Sequence, residues 1–151
     1  MPEIDYVFFA DAADARPGAK FFVLGGGVSR IGGPTFPLVH PHLAMVIGIA
    51  FTDAEAGEPH QIRFVLSGPD GRELSRAEAE VRAEGVLPGR ETHVTFAIDL
   101  WNLTFDQPGE YSLRVFVGGS ERKRVPLTVE RSSGPPGTAV VPPFPPPPGR
   151  A

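Results

Sequence analysis

The feature that most constrains this chain is an alternation of apolar and polar residues with a period of two, repeated in segment after segment. In "HQIRFVLSG" Ile62, Phe64 and Leu66 fall on one side, with Gln61, Arg63 and Ser67 on the other. "ETHVTFAIDL" sets Val94, Phe96 and Ile98 against His93, Thr95 and Asp99. "EYSLRVFVGG" sets Tyr111, Leu113, Val115 and Val117 against Ser112 and Arg114, and "RVPLTVE" supplies Val125, Leu127 and Val129. Successive side chains of a strand point to opposite faces, so this pattern specifies half-buried strands. In "HLAMVIGIAF" the large residues Leu43, Met45, Ile47, Ile49 and Phe51 share a face. Ala44, Gly48 and Ala50 sit mostly opposite, as in a strand covered on both sides.

Turn signals separate these runs: "GPDGR" (68–72), "LPGR" (87–90), "QPG" (107–109) and "GGS" (118–120). Gly118-Gly119 joins two alternating runs directly and predicts a tight hairpin. With residues 4–13 and 20–31 there are seven or eight short strands and no convincing helix. The expected fold is all-β, an antiparallel immunoglobulin-like β-sandwich over residues 1–131. "RELSRAEAEVRAEG" (72–85) is rich in helix formers. As a helix it would gather only Leu74, Ala77, Glu78 and Val81. As a strand it alternates cleanly and follows a DG turn, so a charged edge strand is favoured.

"FFVLGGGVSRIGG" holds Gly25, Gly26 and Gly27 after an apolar run. A phosphate loop needs Lys and Ser/Thr after its glycines and then a helix N-terminus. Here Val28-Ser29-Arg30 follows, then Pro34 and Pro37. The glycines are read instead as a bend that carries one strand between two sheets.

Other chemistry is sparse. There is no cysteine, hence no disulfide, thiolate zinc site or Cys nucleophile. The net charge is −4 and the pI about 5.5, so neither nucleic acid nor an anionic membrane is an expected partner. The N-terminus lacks the basic start of a signal peptide, and a cytoplasmic location is expected. His40-Pro41-His42 is read as a surface loop at a strand start, with no third ligand at a metal-binding spacing. His60 and His93 each sit alone on outward faces. Asp53, Glu55, Asp99 and Asp106 could converge on calcium only if separate loops brought them together. Arg122-Lys123-Arg124 is read as a solvated strand start. No catalytic, cofactor or metal residue is therefore assigned, no cofactor is expected, and the chain is read as a non-enzyme.

Two segments stand out as contacts. Trp101, Leu103 and Phe105 alternate before a turn, which places Trp101 in the core, with an exposed ligand platform as the alternative. Tyr111 is placed to hydrogen-bond back across the corner. From Ser132 the chain becomes proline-rich, and residues 132–151 are expected to form a disordered tail with polyproline II character. Phe144, Pro145, Pro146, Pro147 and Pro148 form an aromatic anchor on a proline run, and the string resembles the FPPPP ligand of EVH1 domains, without that motif's acidic flanks.

Residues "DYVFFADAA" (5–13), "GAKFFVLGGGVSRI" (18–31) and the closing "PGEYSLRVFVGG…RVPLTV" together resemble a family of small uncharacterised bacterial proteins with an "ADAA…GK…LGGG" N-terminal motif. The resemblance spans about residues 4–130 and implies a β-sandwich, with no activity to carry over. The expected function is a non-enzymatic interaction or structural protein with an unidentified protein partner. The alternative is a small-ligand or carbohydrate module built on Trp101. Its tyrosine- and valine-bearing edge strands also suit a homodimer.

Overall fold

The computed structural model describes residues 1–16 and 18–132; the Phe144–Pro148 segment lies outside them. Nine strands run in chain order: β1 (Glu3–Asp14), β2 (Phe22–Gly26), β3 (Arg30–Gly33), β4 (Leu38–Thr52), β5 (His60–Ser67), β6 (Glu73–Val81), β7 (Glu91–Phe105), β8 (Gly109–Val117) and β9 (Ser120–Arg131). They form a four-stranded sheet, β2-β1-β4-β7, packed on a five-stranded sheet, β3-β9-β8-β5-β6. This is an immunoglobulin-like sandwich, with β1-β4-β7 as one layer and β9-β8-β5-β6 as the other.

The ninth strand arises because the run at 20–31 is split in two. β2 pairs with β1 in one sheet, and β3 pairs with β9 in the other. The triglycine sits at that transfer, as its composition predicts. Gly25 and Gly27 have φ of 60° and 80°, where a Cβ is strained. The amides of Gly27 and Val28 both donate to the Phe9 carbonyl, while the Ser29 carbonyl accepts from Thr128 on the opposite sheet. One departure from the expected antiparallel pattern follows: β3 runs parallel to β9, because a strand that changes sheets keeps its direction.

The alternating runs supply the core. Phe9, Phe51, Phe64, Phe105, Leu43, Met45, Ile47, Ile62 and Leu113 are buried between the layers. Residues 73–81 form a strand at the sheet edge, with alternating exposure, as the DG turn and the charge pattern predict. Gly118 and Gly119 make the two-residue hairpin, both at positive φ as a type I′ turn requires.

The corner before β8 also forms as expected. The Tyr111 hydroxyl donates to the Gln107 carbonyl at 2.8 Å, and its ring meets Phe105 edge-on at 5.0 Å. Burial pushes that hydroxyl above its ordinary pKa, more than the Gln107 bond pulls it down. Tyr111→Phe should cost about 1 kcal/mol, because one hydrogen bond disappears and a carbonyl loses its donor while the packing stays. Urea unfolding measures this directly.

The outer face of the β3-β9-β8-β5-β6 sheet is a charged lattice. The Arg63 and Arg114 guanidinium groups lie over the Phe116 ring at 4.6 and 4.9 Å. Glu121 bridges Arg124 and Arg114, at 2.8 and 2.9 Å. Hydrogen bonds from Arg124 and then Arg114 hold the Glu121 carboxyl below its ordinary pKa of 4.5. A carboxyl depressed in the folded state stabilises when ionised, and that contribution fades as the pH falls below 4.5. The stability difference between wild type and Glu121→Gln should therefore shrink on acidification below that value. Added salt should shrink it too, since the group is exposed.

A candidate contact face

Trp101 is not in the core. Along β7 the even-numbered Ile98 and Leu100 pack against the core, but beyond residue 102 the odd-numbered Leu103 and Phe105 are the buried ones. The reason is Asn102, whose φ of 51° lies in the left-handed region. Asparagine tolerates that region better than most residues, and one such residue inverts the alternation. The expected face-sharing of Trp101, Leu103 and Phe105 therefore fails at a single backbone dihedral. Trp101 turns outward and is 65% exposed.

There it forms a platform. Its ring stacks on His42, centroid to centroid 4.2 Å, across the β4–β7 pairing. His42 Nε2 is 2.7 Å from Asp99 Oδ1, which fixes the imidazole beneath the indole. His40 and His42 thus belong to β4 itself, paired with Leu103 and Trp101, rather than to a loop. His93 is not alone either, since its Nδ1 reaches Asp5 at 2.6 Å, and His60 Nε2 bonds the Glu55 carbonyl at 3.0 Å.

More apolar surface lies on the same sheet. Leu24 and Phe22 on β2 are 71% and 70% exposed, and Val39 at the start of β4 is 53% exposed. Phe21 and Val23 alternate with Phe22 and Leu24 and point to the opposite side, where with Tyr6 and Phe8 they line an open apolar hollow that includes Gly26 and Gly27. The triglycine therefore leaves an apolar recess and not an anion cradle. Phe22 and Leu24 carry no distinct signal in the sequence, because an apolar run on an edge strand looks the same whether it is covered or not.

The acids considered for calcium do not converge. Asp53 accepts from the Gly89 amide, Glu55 from Thr52, and Asp99 binds His42. Among the described residues no group of three or more His, Cys, Asp or Glu is placed to hold a metal ion. No described helix is long and apolar enough to cross a membrane. Arg122, Lys123 and Arg124 lie at the exposed start of β9.

A family of unknown function, DUF6941, matches residues 5–130. No curated protein matches the chain at a significant level. Among solved structures, an immunoglobulin-like protein from Pseudomonas aeruginosa is similar at 14% identity and a TM-score of 0.42, over 86% of this chain and 97% of that one. The alkylpurine DNA glycosylase AlkC of Pseudomonas fluorescens, solved bound to DNA containing an abasic site analog, is similar at 12% identity and a TM-score of 0.47. That match covers 87% of this chain, which spans 30% of the glycosylase.

Proposed function

The chain belongs to DUF6941, a family of unknown function, and we propose that it is a non-enzymatic contact protein, binding a protein partner through the outer face of its β2-β1-β4-β7 sheet. The observation that carries this reading is the asymmetry between the two outer faces. One is closed by a lattice of Arg and Glu around Phe116. The other exposes Val39 and Trp101 and carries an apolar hollow lined by Tyr6, Phe8, Phe21 and Val23. Large contiguous apolar surface is unusual on a monomer and marks interaction sites, and a partly exposed Trp is a common energetic anchor.

The test compares three full-length proteins in affinity capture from the native cell: wild type, the double variant Phe21→Ser/Trp101→Ala, and Leu87→Ser. Leu87 is 63% exposed but lies on the loop before β7, at the other end of the sandwich. The reading predicts partners lost from the double variant and kept by Leu87→Ser. Equal capture by all three would overturn it.

A second reading rests on Trp101 with His42 and Asp99 at its flank, since an aromatic plane beside polar groups also suits a sugar or small ligand. A saturable change in Trp101 fluorescence with a panel of monosaccharides would favour it over a protein partner.

A further inference from the structure

We propose that the Trp101–His42 platform is covered, within the same molecule, by the chain's own Phe144–Pro148 segment. The inference rests on the reading of this sheet as a contact face and names what occupies it when no partner is bound. Three observations carry it.

The first is where the chain leaves the sandwich. Gly109 at the start of β8 pairs with Val129 near the end of β9. Tyr111 touches Phe105 at the end of β7, and Phe105 pairs with Leu38 at the start of β4. The exit at Arg131 and Ser132 therefore lies at the same end of the sandwich as Val39, His42 and Trp101. Arg131 is anchored there over the Phe36 ring at 5.4 Å, and the Ser132 amide donates to the Gly33 carbonyl at 3.0 Å.

The second is reach. Eleven residues, 133–143, separate Ser132 from Phe144, and a fully extended chain of that length reaches at most about 36 Å. Trp101 lies two strands across from β1, which packs over β9. The sideways step is about 10 Å and the step through the two layers about 10 Å more, so the segment reaches with length to spare. A tether this short gives an effective concentration in the millimolar range, enough for a weak contact to be populated.

The third is chemistry. Proline-rich segments dock on exposed aromatic planes because their backbone is preorganised and little entropy is lost. The described face offers such a plane, together with apolar side chains for Phe144. Asp99 beside the platform is opposite in sign to Arg150, two residues beyond the proline run.

The only tryptophan of the chain is the reporter. Acrylamide quenching of Trp101 is measured in three full-length proteins: wild type, Phe144→Ala, and a variant with Pro145–Pro148 all changed to Ser. Intramolecular docking predicts a quenching constant several-fold lower in wild type than in both variants, unchanged by dilution. Equal quenching in all three overturns the inference, and so does protection that disappears on dilution, which would mean that a second copy supplies the segment. Neither failure touches the contact-face reading, which stands or falls on the capture of partners by the Phe21→Ser/Trp101→Ala protein.

Discussion

Replacing Phe105 with Ala is expected to remove about 3–5 kcal/mol of stability, the usual cost of emptying a large buried aromatic site. Phe105 is fully buried and closes the corner where β7 ends, β8 begins and β4 starts. Its ring holds Tyr111 edge-on, and Tyr111 in turn ties the Gln107 carbonyl to the sheet. A cavity here cannot collapse easily, because two layers and a hydrogen-bonded turn define its walls. Phe105→Leu keeps most of the volume and should cost markedly less. Since whole domains are stable by only about 5–15 kcal/mol, the alanine variant should show a large drop in urea midpoint. A loss under about 1 kcal/mol would mean that the corner is not the packed plug described.

Gly48→Val is expected to be the most damaging change on the other side of the same sheet. Gly48 is central in β4, between Tyr6 on β1 and Thr95 on β7. The Tyr6 ring lies directly on it, so a Cβ at this position would fall within the ring. Tyr6 would have to swing away and lose the hydroxyl contact it makes with Thr95. Glycine in a strand ordinarily lowers stability, so adding a β-branched side chain should help. Here the sign reverses, and overpacking should cost about 1–3 kcal/mol or somewhat more. The cause is separable by a double-mutant cycle: in a Tyr6→Ala background the same substitution should cost little, because the obstructing ring is gone. A full cost in both backgrounds would place the strain elsewhere.

The fold was legible because its signal is repeated and local. Each zigzag run, from Ile62–Leu66 to Val125–Val129, carries its own period, and the turns between them use Gly, Pro and Asp in positions that only a few backbone shapes accept. The triglycine was legible as a sheet-to-sheet bend by elimination, since neither a Lys-Ser/Thr pair nor a helix followed it. The orientation of Trp101 was not legible. It depends on one dihedral at Asn102, and nothing in an alternating string marks the residue at which the alternation will invert. The partners of His93 and His42 were hidden for another reason. Asp5 and His93 are separated by 88 positions, and only the register of β1, β4 and β7 brings them together. The contact face combines both difficulties, because it is assembled from β2, β4 and β7 and exists only once that register and that inversion are in place.

The outward turn of Trp101 underlies the contact face, and equilibrium unfolding of Trp101→Ala in urea tests it most directly. An indole that stands on the surface with only His42 beneath it should cost no more than about 1 kcal/mol when removed. A loss of about 3–5 kcal/mol, equal to that of Phe105→Ala, would put Trp101 back in the core and remove the platform on which the proposed binding depends.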